Sequence, residues 1–260
     1  MNKRIINIIS FCVIAAVLAA LPSCKGKTGD ESKTPTSAPE KSVTSETVKI
    51  VNIPTEKSEL ADMLNAALNY VDSYCYTYKK AIKCTADSIS LGSLSSASNA
   101  SDAFASIFGE KDITADFDYK ADKKLFADNF VKGPISQDSI TSITAKQDGN
   151  TVVVTAELAG ETNPTAESGV LCNLGGDFVS VDDVNASLGE FKSSASSVSI
   201  SADSIKIVAR ISADDSSLMS LTVSYTERFS LSGVTLVKLK GGTVSGAAQT
   251  KVEYTNFGLF

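Results

Sequence analysis

Apolar residues recur at steps of three or four from residue 60 onward, a spacing typical of an amphipathic helix with one buried stripe. Pro54 precedes this stretch, and Glu59 falls in its first turn, where an acid suits the helix dipole. The pattern predicts a helix from about residue 55, although Tyr74, Tyr76 and Tyr78 also alternate at period two and would fit the start of a strand. The stripe consists of Leu60, Leu64, Ala67, Leu68, Val71, Cys75 and Tyr78.

Further along the chain, apolar and polar residues alternate, as they do in antiparallel strands with one exposed face. Two such runs, 139–147 and 150–159, flank Asp148-Gly149, which is a strong signal for a hairpin turn. The clearest alternation covers 205–231, with large apolar residues on one face and Ser, Thr, Lys and Arg on the other. Residues 234–257 predict a closing hairpin or meander.

Shorter elements fill the middle of the chain. We expect short helices at 101–109, 121–130 and 180–188, the last with a capping motif, and a strand at 113–119. The dry face of the sheet needs a cover, and the first helix is the obvious one. The predicted fold class is therefore α+β: a long N-terminal amphipathic helix packed on a curved antiparallel β-sheet, with short additional helices.

The beginning of the chain predicts export. A short positively charged segment precedes an apolar run at 5–21, which is somewhat short for a membrane span. The run ends in Leu21-Pro22-Ser23-Cys24, which resembles the lipobox of bacterial lipoproteins. The resemblance implies cleavage before Cys24 and a diacylglyceryl group on its sulfur, and several acyl chains together make a stable anchor. An ordinary secretory signal or an uncleaved anchor helix is the alternative.

Three parts follow from this interpretation: a signal peptide at 1–23, the lipidated cysteine with a disordered linker at 24–47, and a single domain at 48–260. Removal of 1–23 takes away two basic residues and no acid, so the net charge changes from −6 to −8. An acidic chain is a poor partner for nucleic acid, and electrostatics would not hold it at an anionic membrane. We expect lipid anchoring on the outer face of a bacterial cell membrane.

A second resemblance covers most of residues 55–257. The segments Leu60–Val71, Ser204–Ser230 and Val252–Phe257 are similar to those of a group of uncharacterised lipoproteins of Firmicutes, chiefly Clostridia. These proteins share the lipobox, a low-complexity linker, a helix with paired asparagines and a β-rich second half. The resemblance implies no activity, because none is assigned to the group.

Several catalytic chemistries are excluded by composition. The chain has no histidine, so Ser-His-Asp catalysis, Cys-His catalysis and His-ligated zinc are ruled out. Ser-x-x-Lys, Gly-x-Ser-x-Gly, Walker and dinucleotide-binding motifs are also missing from the sequence. We therefore expect a protein that is not an enzyme and that needs no cofactor or metal. A hydrolase with two carboxylates stays open, because the spacing of that pair is spatial.

Some acidic groups allow two interpretations. A calcium site would need a glycine and a later glutamate, which are missing around the aspartates at 112–122, so an exposed strand edge is favoured. Asp182-Asp183 is better explained by helix capping than by chemistry. The aspartates of the first group are Asp112, Asp116, Asp118 and Asp122.

Cysteines and tyrosines are equally open. Cys75 and Cys84 would form one disulfide, or these two and Cys172 would all be reduced. The tyrosines at 70–78 either line a ligand mouth or, as is more common, pack a helix end.

Two functions compete with the hydrolase. The first is a non-catalytic binding protein that holds a lipid or another apolar small molecule in a groove between helix and sheet. The alternative is a structural or adhesive envelope protein whose Ser/Thr/Lys-rich sheet face contacts wall polymer or other surface proteins. The residues expected to line the apolar groove are Leu64, Leu68, Val71, Met219, Leu221, Val223 and Tyr225.

Overall fold

The computed structural model describes residues 49–95, 104, 107–165, 167–175, 178–190, 193–236 and 239–259. The predicted signal peptide, Cys24, the linker and most of the predicted helix at 101–109 lie outside these residues. The described residues belong to one compact unit. Among them, no helix has both the length and the apolar character needed to cross a membrane.

Nine strands of the described chain form one antiparallel sheet. They are β1 (Cys75–Ser90), β2 (Lys111–Asp118), β3 (Ile140–Asp148), β4 (Thr151–Leu158), β5 (Glu161–Thr162), β6 (Ser193–Ser194), β7 (Ser197–Ser212), β8 (Leu218–Leu236) and β9 (Leu239–Leu259). The order across the sheet is β2-β1-β9-β8-β7-β4-β3, with β5 paired to β7 and β6 paired to β8. The last strand thus pairs with the first, which brings the two ends of the domain together.

Four α-helices are described: α1 (Lys57–Tyr74), α2 (Lys123–Asp128), α3 (Val170–Asn173) and α4 (Val181–Glu190). The predicted α+β class is wrong, because the protein is mostly β and one large antiparallel sheet dominates it. The described residues contain no long N-terminal helix: α1 has 18 residues, and every other helix is shorter.

The reason for the error lies at the junction of helix and strand. Cys75 has an extended backbone (φ −100°, ψ 142°), so α1 ends at Tyr74 and β1 begins without a loop. Tyr78, which was predicted to belong to the helical stripe, therefore lies in β1, as the period-two spacing of the aromatic residues indicates. The strands are also longer than predicted, because β8 continues through Gly233, where φ is 59°, to Leu236.

Two local predictions for the β-rich half of the chain, a hairpin and a helix cap, agree with the structure. The hairpin between β3 and β4 is confirmed, but its turn is one residue further along than predicted: Asp148 pairs with Thr151, so the two loop residues are Gly149 and Asn150 rather than Asp148 and Gly149. Gly149 takes the left-handed backbone (φ 60°) that a tight hairpin turn needs. The capping box of α4 is also confirmed, because Ser180 N and Oγ both donate to Asp183 Oδ2, at 2.9 and 2.6 Å.

One face of the sheet is covered and dry. On β7, a bulge at Ser204 (φ 54°) changes the buried positions from even to odd numbers, and both sets stay on the covered face. Two clusters of buried side chains share this face. The α1 cluster joins α1 to the sheet, and the α4 cluster lies near the other end of the long strands. The buried members of the α4 cluster are Leu94, Phe104, Ile107, Phe108, Val184, Leu188, Ile200, Phe229, Leu231, Val234 and Val244.

Tyr78 is at the centre of the α1 cluster. Its ring lies 4.8–6.5 Å from five other aromatic rings, and its hydroxyl donates to the carbonyl of Phe126 at 2.7 Å. The five rings belong to Phe117, Phe126, Phe130, Tyr254 and Phe257. Such a group supplies a large buried area with defined geometry. This tyrosine therefore belongs to the core rather than to a ligand mouth.

Candidate functional site

The predicted apolar groove is filled with packed side chains. Six of its seven expected residues are buried in the α1 cluster. Their exposed fractions are 0% for Leu64, Val71, Leu221 and Val223, 1% for Leu68 and 5% for Tyr225. A ligand at this place would have to displace close-packed side chains, which is costly. Binding of an apolar ligand between α1 and the sheet thus stays a prediction.

Met219, the seventh expected residue, is 52% exposed and lies at one end of the sheet. At this end Lys49 N donates to Asn150 Oδ1 at 3.1 Å, and Lys49 Nζ donates to the carbonyl of Asp214 at 3.0 Å. The chain that leads back to Cys24 therefore joins the domain here, and we call this the tether end. Ile50, Tyr74 and Leu259, which are also exposed, lie at the same end.

A small cavity lies on the covered face between the two clusters. Its volume is about 20 Å³, enough for one water molecule. Glu227 of β8 points into this region from a position between Tyr225 of the α1 cluster and Phe229 of the α4 cluster. The cavity is lined by Ile82, Cys84, Ile107, Phe108, Lys111, Val179, Glu227, Ala248 and Thr250.

Glu227 is 3% exposed, which is unusual for a carboxylate. Its Oε1 accepts a hydrogen bond from the backbone N–H of Val179 at 2.8 Å. Burial raises the pKa of Glu227 to about 7, while the Val179 hydrogen bond and the Lys111 charge oppose that rise and the Asp183 charge adds to it. A buried carboxyl that titrates near neutral pH marks a candidate functional position.

The sequence contained a signal for this residue. On β8, Leu221, Val223, Tyr225 and Phe229 follow one face at period two, and Glu227 occupies the same face. A charge at an apolar position of a regular strand is the anomaly that identifies it. A prediction based only on the apolar residues of β8 does not identify Glu227.

The opposite face of the sheet is uncovered and polar. In one row across four adjacent strands, serines stand directly opposite one another, and all four are exposed. This serine row consists of Ser90 of β1, Ser245 of β9, Ser230 of β8 and Ser199 of β7. Its hydroxyls recur at roughly 4.8 Å, the distance between strands. More hydroxyls flank it, since Ser197 and Ser232 are paired at 2.8 Å between their Oγ atoms.

Charged side chains near the serine row have partners, which are either an opposite charge or a hydrogen-bond donor. Arg228 Nε lies 2.8 Å from Asp203 Oδ2, and Gln249 Nε2 donates to both carboxylate oxygens of Asp87 at 3.2 and 3.0 Å. Further along the same face, Lys251 Nζ lies 2.8 Å from Glu253 Oε1. The face therefore offers hydrogen bonds rather than a field of one sign.

The aspartates at 112–122 have separate positions. Asp112 and Asp116 are exposed on the edge strand β2, opposite Lys83 and Lys79, and Asp122 accepts from Leu125 N to cap α2. In the described ranges, no group of three or more Cys, Asp or Glu residues could hold a metal ion.

Cys75, Cys84 and Cys172 form no disulfide within the part of the chain that the structure describes. Cys75 begins strand β1 and Cys84 lies nine residues further along it, roughly 30 Å away at a strand's rise per residue, so they cannot bridge. The disulfide alternative is therefore wrong for this pair. Burial raises the pKa of Cys75 to about 11, which keeps its thiol protonated and unreactive at neutral pH.

No family model, curated protein or solved structure matches this chain. The resemblance to clostridial lipoproteins therefore stays a prediction.

Proposed function

We propose that this protein is a lipid-anchored envelope protein on the outer face of a bacterial membrane, and that it binds a neutral, hydroxyl-rich wall polymer without catalysis. The observation that carries the binding part is the serine row, an in-register set of exposed hydroxyls on the uncovered sheet face. A serine hydroxyl both donates and accepts hydrogen bonds, as sugar hydroxyls do.

The position of the serine row supports contact away from the membrane. Ser199 lies near the start of β7, and Ser212, at the other end of this strand, lies beside the tether end. At the rise of a β-strand, the two are roughly 40 Å apart. The serine row thus lies at the end of the sheet away from the point where the chain leading back to Cys24 joins the domain.

The chemistry around the serine row favours a neutral polymer over a protein or a polyanion. Protein interfaces depend on large aromatic and Arg anchors, and serine is under-represented among their energetic centres. A polyanion needs unpaired positive charge, whereas Arg228 is paired with Asp203 here and the chain is acidic overall. Affinity for each sugar unit will be low, and repetition along the polymer raises it.

Retention on insoluble glycans tests the binding. The full-length protein in detergent would be mixed with cellulose, chitin and amylose resin, none of which carries a fixed charge. We expect retention on at least one of them, reduced roughly 3–10-fold by Ser230→Lys, since that change removes one or two hydrogen bonds. Ser220→Lys, on the same strand near the tether end, is the matched control and should change nothing.

Site-specific photo-cross-linking in intact cells tests the same surface independently. A photoreactive residue at position 230 should form an adduct with polymer, and one at position 220 should not. A defined protein adduct at 230 would show that the partner is a protein. Failure of both retention and cross-linking would remove the proposed binding function.

The anchor has its own test. Replacement of Cys24 by Ala should move the protein from the membrane fraction to the soluble extracytoplasmic fraction, because the acyl chains are the only anchor expected. A Cys24→Ala protein that stays in the membrane would refute lipid anchoring and leave the glycan result unaffected.

A further inference from the structure

The cavity between the two clusters suggests a role for Glu227 that polymer binding does not use. Its carboxyl holds the backbone N–H of Val179, in the segment that leads into α4. Val184 and Leu188 are the residues of α4 that are buried against the sheet. The hydrogen bond thus joins the middle of β8 to the start of a lightly held segment, beside a cavity that admits water.

We propose that Glu227 is a proton-dependent latch: its neutral carboxyl keeps residues 179–190, including α4, docked on the sheet, and its ionisation releases them. The surroundings of the carboxyl in the docked and released states determine which protonation state favours release. In the docked state the carboxyl is buried next to Phe108 and Ala248, which cannot solvate a charge. In the released state water reaches it. Ionisation therefore favours release, even though a charged oxygen accepts the Val179 hydrogen bond more strongly.

Three other titratable groups of the described chain face this carboxyl. Lys111 of β2 lines the cavity and favours the charged form, so it opposes release. Asp183 of α4 disfavours the charged form, and it is held by Ser180 in the capping box. Cys84 of β1 also lines the cavity. Opening should therefore rise as pH increases from the ordinary pKa of a released carboxyl toward the docked pKa of about 7 and level off above it, and Lys111 lowers that upper limit.

Hydrogen exchange of the full-length protein in detergent measures release directly. Exchange rates of peptides from 179–190 would be corrected for the intrinsic pH dependence and compared with peptides of α1. We expect opening of 179–190 to rise roughly tenfold between pH 6 and pH 8, because the carboxyl has its ordinary pKa when released and about 7 when docked. The α1 peptides should show no such rise.

Glu227→Gln keeps the hydrogen-bond acceptor and cannot ionise. In this variant the corrected exchange rates of peptides from 179–190 should therefore not change with pH. The matched control Glu157→Gln, at an exposed position of β4, should behave as the wild type does. The latch is refuted if the wild-type profile is flat or if Glu227→Gln keeps the wild-type rise.

Two further measurements keep the test decisive if Glu227→Gln folds poorly. Lys111→Gln removes the positive charge that stabilises the ionised docked carboxyl, so the rise should continue to higher pH and opening at pH 8 should exceed that of the wild type, whereas an unchanged profile counts against the latch. Alkylation of Cys84 at pH 8, followed by peptide mass spectrometry, should be faster in the wild type than at pH-matched Glu227→Gln. Equal rates would show that the cavity does not open with ionisation.

Discussion

The two hydrophobic clusters on the covered face of the sheet contain the same kinds of side chain but are covered by helices of different length. The α1 cluster lies under an 18-residue helix that contributes five buried residues to it, and it surrounds Tyr78 with aromatic rings. The α4 cluster lies under a ten-residue helix that contributes Val184 and Leu188. Since hydrophobic stabilisation grows with buried apolar area, we expect the α1 cluster to dominate global stability and the α4 region to open first.

The residue at the boundary between the two clusters gives a physical reason why they should differ in stability although they share one face of the sheet. Glu227 lies on β8 between Tyr225 and Phe229, so an ionisable group interrupts a continuous apolar row. A buried carboxyl cannot contribute hydrophobic contact, and its charged form is expensive to bury. A polar residue at this position therefore limits the cooperativity between the two ends of the sheet.

The largest expected effect is a truncation in the α1 cluster. Leu68→Ala should lower the free energy of unfolding by about 2–5 kcal/mol, because it removes a fully buried side chain and leaves a cavity. Urea unfolding followed by circular dichroism would measure it. Asp62→Ala, on the exposed side of the same helix, should stay within about 0.5 kcal/mol of the wild type. A loss below 1 kcal/mol for Leu68→Ala would contradict the dominance of this cluster.

The next effect is the pH dependence of stability. The raised pKa of Glu227 means that the folded state holds its proton more tightly, so the stabilisation is complete below about pH 4.5 and is lost as pH rises toward 7. The loss should approach about 3 kcal/mol at most, since each pKa unit corresponds to about 1.4 kcal/mol.

Urea unfolding at several pH values would measure this loss as the difference between wild type and Glu227→Gln. The subtraction removes the contribution of other carboxyls that titrate in both proteins. A difference that does not change between pH 4.5 and 7.5 would show that the carboxyl is not buried in solution.

Local elements of the fold could be predicted from the sequence, whereas its class could not. The β3–β4 hairpin and the capping box of α4 depend on neighbouring residues, so local patterns identified them. The fold class depends on long-range pairing, such as Cys84 of β1 with Thr250 of β9, which no local pattern contains. The helical stripe also continued by chance into β1, which gave α1 too large a share of the architecture.

The candidate sites also depend on long-range contacts that local sequence patterns do not contain. Serines at 90, 199, 230 and 245 look ordinary along the chain, and only the register of four strands makes them a row. The predicted groove residues were correctly assigned to apolar faces, but six of them pack together, because sequence cannot distinguish a lined cavity from a filled core. Glu227 could have been found from its place on an apolar face.

A truncation in the α4 cluster should have a smaller and more local effect. Leu188→Ala removes one of the two buried contacts of α4, and we expect a loss of about 2 kcal/mol, at the low end for such changes. In hydrogen exchange, faster opening should be confined to peptides of 179–190, while peptides of α1 keep their protection. Equal acceleration in α1 would mean that the two clusters form one cooperative unit.

The smallest effect separates the docking of α4 from its own helical stability. Ser180 Oγ accepts from Asp183 N at 3.2 Å, and Asp183 Oδ2 accepts from Ser180 N at 2.9 Å, so Ser180→Ala removes half of the capping box. We expect a loss of about 1 kcal/mol, equivalent to roughly fivefold faster opening of α4 at any pH. Asn185→Ala, at an exposed position of the same helix, is the matched control. Because the serine side chain carries no ionisable group, Ser180→Ala should shift the whole pH profile of α4 opening without changing its slope. A changed slope would mean that the cap, and not Glu227 alone, takes part in the pH response.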